Sequence, residues 1–182
     1  MLASENCGPL TDPSFPGALP LILSARLQFG TAEPGLDYRA RATAFGLLFR
    51  DDKLACVRVD RGEGSYLDLP GGAVDGDETE AEAVVREFVE ETGLTVCCID
   101  RLGTAAQYFR KTDGAPINNT GGFWTVDFVS LDPAAKVEPD HELVWLDPVE
   151  ALKTLRHDAH AWAVAVWLRG PVKRHGTEPG RR

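Results

Sequence analysis

The chain has 182 residues, 43% of them hydrophobic and 26% charged, proportions that suit one soluble domain with a buried core. A formal net charge of -9 argues against binding a nucleic-acid duplex, whose phosphates it would repel. A small anionic substrate stays compatible with that charge if a metal ion or an arginine cluster stands between the two.

In chain order, residues 1 to 18 are rich in Pro, Gly, Ser and Thr and read as a loose arm. Leu21 to Phe29 alternates enough for a short strand, and its apolar side would also serve a homodimer. No Lys or Arg precedes the apolar Leu19 to Ala25, so a secretory signal is not expected. No apolar run approaches the roughly 18 residues of a membrane span. Ala42 to Phe49 and Leu54 to Val59 read as strands joined by the polar turn Arg50 to Lys53. Tyr66 to Leu69 is a short extended piece that stops at Pro70-Gly71-Gly72. Thr79 with Glu82 has capping-box spacing and Gly93 suits a helix end, so a helix is expected between them.

Thr95 to Phe109 reads as one or two strands, Arg110 to Gly122 as a polar loop and Phe123 to Leu131 as a strand. A shorter strand, Leu143 to Leu146, precedes helices at Pro148 to Leu155 and Ala159 to Leu168. The sequence therefore predicts one mixed α/β domain over residues 38–169, an N-terminal arm over 1–37 and a mobile basic tail over 170–182. Cys7, Cys56, Cys97 and Cys98 form no CxxC pair and are expected to be reduced thiols of a cytoplasmic protein.

The predicted helix carries an unusual charge pattern. With Glu87 at zero on a helical wheel, Glu90 falls at about -60° and Glu91 at about +40°, with Ala83 at about -40°. Val84, Phe88, Ala81 and Val85 form an apolar stripe flanking this acidic face. Like charges at such spacing repel. They also lie late in the helix, where the macrodipole disfavours negative charge. Arg86 is the helix's one cation. Outside compensation is expected, and a hard divalent cation such as Mg²⁺ or Mn²⁺ supplies it through oxygen ligands. The glycines at 71 and 72 would let backbone approach that ion.

The run from Gly72 through Glu78, Arg86-Glu87, Glu90-Glu91 and Gly93-Leu94 resembles the Nudix hydrolase signature at every fixed position. The resemblance implies an α/β/α sandwich around a central mixed sheet, with the signature forming a loop-helix-loop. It implies Glu87, Glu90 and Glu91 as metal ligands, with the Gly71 carbonyl joining them. Arg86 would orient a helix glutamate, and Glu78 would brace the loop or help place the attacking water. A further acid outside the signature is expected, with Glu142 first and Asp113 and Asp140 as rivals. Leu67 departs from the aromatic residue many members carry there.

The implied reaction is Mg²⁺-dependent water attack on the diphosphate linkage of a nucleoside diphosphate joined to another group, with Glu90 or Glu91 taking the proton. Tyr108, Phe109, Phe123 and Trp124 are candidates to stack on a base, and Asn118 and Asn119 to read its edge. Arg39 and Arg41 are candidates for a phosphate. Trp145, Trp162 and Trp167 read as core, and His157 and His160 as surface residues sharing a helical face. The alternative reading is a Nudix-fold module that senses a nucleotide without cleaving it, against which the intact acid set argues.

Overall fold

The structure is a computed structural model that describes residues 27–62 and 64–170. The readings for residues 1–26 and for the tail from 171 onward lie outside the described residues. Of the strand expected over Leu21 to Phe29, the described part is β1, Gln28–Phe29.

Two long strands, β2 (Arg39–Arg50) and β3 (Lys53–Asp60), follow. Asp51 and Asp52 join them with φ of 51° and 59°, a two-residue turn in the left-handed region that matches strand twist. Next come β4 (Ser65–Asp68) and β5 (Gly71–Ala73). The helix α1 (Glu80–Thr92) is capped as its sequence demands. The Thr79 N–H donates to Glu82 Oε2 at 2.7 Å, and the Glu82 N–H returns to Thr79 Oγ1 at 3.2 Å. Gly93 closes the helix at φ 75°.

The largest departure from expectation follows. Residues 110–122 are mostly not a loop: β6 (Leu94–Arg110) and β7 (Pro116–Leu131) form one long antiparallel hairpin that takes in Asn118 to Gly122. These polar and glycine residues have weak intrinsic strand preference. Pairing on both edges overrides it, because β7 also runs parallel to β2 from Ile117–Arg39 to Val126–Leu48. The chain ends with β8 (His141–Leu146), α2 (Pro148–Thr154) and α3 (Asp158–Arg169).

The strand order is β1-β6-β7-β2-β3-β4, with β5 on β2 and β8 on β3. One edge of β2 is shared: β5 pairs at Thr43 to Phe45 and β3 at Phe49 to Arg50. Strand β3, flanked by β4 and β8, therefore swings away as a second leaf, and the curled sheet opens between the leaves. Helices cover both faces, giving the expected α/β/α class. One core joins Phe45, Leu47, Leu54 and Phe123 to Ala151, Ala159 and Ala163 beneath α2 and α3. The other joins Ala44, Leu48, Ala55 and Val126 to Ala83, Val84 and Phe88 of α1. Helix α1 docks closely because Gly46 has no side chain; a Cβ there would lie 2.5 Å from Cε2 of Phe88.

Trp162 and Trp167 pack against the first core as expected, with Trp167 stacked on Phe49 at 3.4 Å between ring centroids. Trp145 does not: it lies on the edge strand β8 and stays 36% exposed. Cys56 and Cys98 are free thiols, held up to about 12 and about 11 by burial. Cys97 is disulfide-bonded, which corrects the reading of all four cysteines as reduced. Among the described residues no helix is long and apolar enough to cross a membrane.

Candidate active site

The buried residues of α1 are Ala83, Val84, Glu87, Phe88, Glu91 and Thr92. Two acids thus share the buried stripe instead of flanking it, which corrects the wheel reading. Glycines make this possible. The Gly71 N–H donates to Glu91 Oε2 at 2.9 Å. Gly72 runs directly against Glu87, whose Oε1 would lie 2.5 Å from a Cβ at that position.

Arg86 ties the loop before the helix to the helix. Its Nη2 donates to Glu78 Oε1 at 2.7 Å and to the Ala73 carbonyl at 3.0 Å, and its Nε to Glu78 Oε2 at 3.1 Å. Its Nη1 reaches Glu87 Oε1 at 3.0 Å and Glu90 Oε2 at 3.2 Å. With Asp75 Oδ2 3.9 Å from Nη2, one guanidinium therefore serves four carboxylates, two of them of the acidic face. The same bonds hold the Glu78 carboxyl below the usual range, helped by the Asp75 N–H. Burial instead raises Glu87, although Arg86 opposes it. Burial raises Glu91 well above the usual range, although the Gly71 N–H opposes it.

A second segment closes over the end of α1. The N–H groups of Val137 and Glu138 both donate to the Glu90 carbonyl, at 2.9 and 3.0 Å. This docking carries Glu138 and His141 to the acids. Potential ligand atoms of Glu87, Glu90 and Glu138 lie within 4.8 Å of one another, as do those of Glu91, Glu138 and His141. His141 Nδ1 lies 2.7 Å from Glu138 Oε2 and 3.0 Å from Asp140 Oδ1.

Glu142, the first choice for the further acid, is not in this cluster. It lies exposed beside Arg58, with 2.6 Å between Nη1 and Oε2. Neighbouring strand residues point to opposite faces, so His141 facing Glu91 sends Glu142 away. Asp140 pairs with Arg61. Asp113 lines the cleft without joining the acids. Glu138 and His141 were missed; their one sequence signal is the polar run Glu138 to Glu142, whose inward-facing members depend on the register of β8.

A cleft of about 480 Å³ opens over this cluster, lined also by Arg41, Arg61, Lys111, Arg156, Tyr66 and Phe109. His157 and His160 line it too and are buried at 7% and 3% exposure, so they are not surface residues. Their shared helical face turns toward the sheet, where His160 packs 4.3 Å from Phe45 and His157 4.7 Å from Phe109. Burial pushes the His157 imidazole down to about 4. The Leu69 N–H points at His160 Nδ1 at 3.3 Å.

The remaining candidates separate. Phe109, Arg41 and Asn119 line the cleft, and Asn119 is buried. Asn118 instead accepts a hydrogen bond from Gln28 at 3.2 Å, and Tyr108 packs edge-on against Tyr38 at 4.9 Å. Trp124 donates from Nε1 to Glu80 Oε2 at 3.2 Å, beside α1 and off the cleft lining. Phe123 is core. Arg39 is not among the lining residues.

A helix whose acids face a cleft between the leaves of a curled mixed sheet gives the chain the architecture of a Nudix domain. The NUDIX domain model matches residues 39–168, and the chain belongs to the Nudix family. Among solved structures it is similar to a NUDIX hydrolase from Nitrosomonas europaea, with 21% identity, a TM-score of 0.61, and coverage of 71% of this chain and 89% of that one. It is similar to the MutT protein of Methanosarcina mazei Go1, with 25% identity, a TM-score of 0.58, and coverage of 74% and 96%. An ADP-ribose pyrophosphatase from Streptococcus suis 89-1591 follows, with 20% identity, a TM-score of 0.50, and coverage of 74% and 94%. No curated protein matches the chain.

Proposed function

We propose that the protein hydrolyses the diphosphate linkage of a nucleoside diphosphate joined to another moiety, with Mg²⁺ or Mn²⁺ held by Glu87, Glu90 and Glu91. The observation that carries this reading is the convergence of Glu87, Glu91 and Glu138 at one cleft, with Glu90 grouped beside Glu87 and Glu138. The donor set fits a hard cation: carboxylate oxygens dominate it, with one imidazole beside them. Glu87 and Glu91 are ionised only against a burial penalty that a cation would offset. The Gly71 carbonyl and Glu138 complete the proposed set. When bound, the cation neutralises the diphosphate and supports attack by water.

The chain's own residues do the rest. Arg86 fixes Glu87 and Glu90 in orientation and braces the loop through Glu78. The Gly71 N–H anchors one oxygen of Glu91. Glu90 or Glu91 takes the proton of the attacking water. Arg41, Lys111 and Arg156 offer positive charge to the remaining phosphate oxygens, and Phe109 a face for a planar group.

The test is a chromatographic screen for nucleoside phosphate products, with Mg²⁺ or Mn²⁺, over nucleoside triphosphates, ADP-ribose, dinucleoside polyphosphates and sugar nucleotides. Glu90→Gln and Glu91→Gln run beside the parent. Turnover in the parent that falls by orders of magnitude in both variants supports the reading. A parent that binds nucleotides but cleaves none would be a sensing module instead.

A further inference from the structure

The floor of the cleft beneath α3 is built in strand rows. Gln107, Asn119 and Arg41 form one row across β6, β7 and β2, and Ala105, Gly121 and Thr43 the next. Phe123 and Phe45 follow. A row of small residues thus lies between a polar row and an aromatic one, which leaves a hollow. The hollow measures about 10 Å³, room for one water-sized group, and shares Phe45, Asn119, His157 and His160 with the main cleft. Gly121 keeps it open, because a Cβ there would lie 2.8 Å from Thr43 Oγ1.

Two polar atoms of this hollow have no hydrogen-bond partner among the described residues: Asn119 Oδ1 and Thr43 Oγ1, in side chains 8% and 1% exposed. Unpaired buried acceptors are costly, and few persist without reason. Gln107 is not free to satisfy them. Its Nε2 donates to the Tyr108 carbonyl at 2.9 Å, and its Oε1 accepts from the Ala159 N–H at 3.2 Å.

We infer that the hollow receives the exocyclic amino group of the substrate's nucleobase, with Asn119 as the residue that sets base preference. The inference rests on the proposed nucleotide-hydrolase reading and names the base class that reading leaves open. An amino group is water-sized and carries two hydrogens, one for Asn119 Oδ1 and one for Thr43 Oγ1. A carbonyl at the same ring position would set oxygen against the Asn119 oxygen and leave it unpaired. His157 lines both the hollow and the main cleft, and Phe109 packs edge-on against it on the cleft side.

The test is calorimetric titration of the full chain with AMP and with IMP, which differ in an amino group against a carbonyl. It is done without divalent cation, so that it reads binding alone and stays separate from any failure of hydrolysis. AMP is expected to bind about ten-fold or more tighter. Asn119→Leu should bring the ratio close to one, and Asn119→Asp, which keeps an acceptor oxygen, should retain a preference for AMP. Thr43→Val, of nearly the same shape, provides a second route should the Asn119 variants fail to fold, and should narrow the ratio. Equal affinities in the parent, binding of neither nucleotide, or a ratio unchanged in Asn119→Leu and Thr43→Val would each overturn the inference. A water alone would then fill the hollow.

Discussion

Nε2 of His141 lies 3.4 Å from Oε1 of Glu91, and both side chains are 7% exposed. The contact joins the last turn of the acid helix to the start of β8. It also leaves Glu91 the most deeply buried of the helix carboxyls, with its pKa raised by that burial.

Glu91→Gln follows from this burial. A carboxyl with a raised folded-state pKa contributes stability while protonated, and that contribution fades as pH rises through the raised value. Glutamine keeps the acceptor for the Gly71 N–H and never ionises. In chelator at pH 8 the variant should melt a few degrees above the parent, at roughly 2–4 °C per kcal/mol for a chain of this size. Its turnover should fall at least about a hundred-fold, and Mg²⁺ should raise its melting temperature less than the parent's. A variant that melts lower in chelator would show that Glu91 is not strained there.

Glu138→Gln and Glu142→Gln form a matched pair four residues apart. The first removes a member of both candidate ligand groups and should reduce kcat by at least about ten-fold. The second removes only an exposed partner of Arg58, a pair worth less than about 1 kcal/mol. Steady-state kinetics decides between them; equal losses in the two variants would put the further acid elsewhere.

Arg86→Lys should not be a conservative change. A lysine cannot hold Glu78 by two bonds while reaching Glu87, Glu90 and the Ala73 carbonyl. A loss of about 10- to 100-fold in kcat/KM is expected, with weaker stabilisation by metal. Activity within two-fold of the parent would argue that the loop holds itself.

His157 gives a pH signature. Its folded value of about 4 lies below the ordinary 6.5 because burial disfavours the cation. The unfolded chain binds the proton first, so stability falls as pH drops from about 6.5 towards about 4 and levels off below that. The full effect is roughly 3 kcal/mol at about 1.4 kcal/mol per pKa unit. His157→Phe should flatten this part of the melting-temperature profile relative to the parent; parallel profiles would mean that the imidazole has room to charge.

Much of this was legible in the sequence because it is local. The cap formed by Thr79 and Glu82, the stop at Gly93 and the loop–helix spacing of Glu78 and Arg86 are each set by nearby residues. What stayed hidden is set by distant pairing. Asn118 to Gly122 read as a loop because strand partners on both sides, not their own preferences, extend β7. His157 and His160 read as solvated because a helical wheel gives a shared face but not what that face meets. Glu142 was chosen over Asp113 and Asp140, and Glu138 and His141 were missed, because the register of β8 decides which side chains look inward.

Strand β8 and the turn before it carry a consequence for how the centre comes into being. The helix acids can take up their helical spacing early, from neighbours alone. Glu138 and His141 reach them only once β8 has zipped onto β3 and the Glu90 carbonyl has gripped the turn. A chain severed upstream of that turn would therefore keep the signature intact yet hold an open half-basket, so competence for chemistry should arrive last in folding and depart first when the rim loosens.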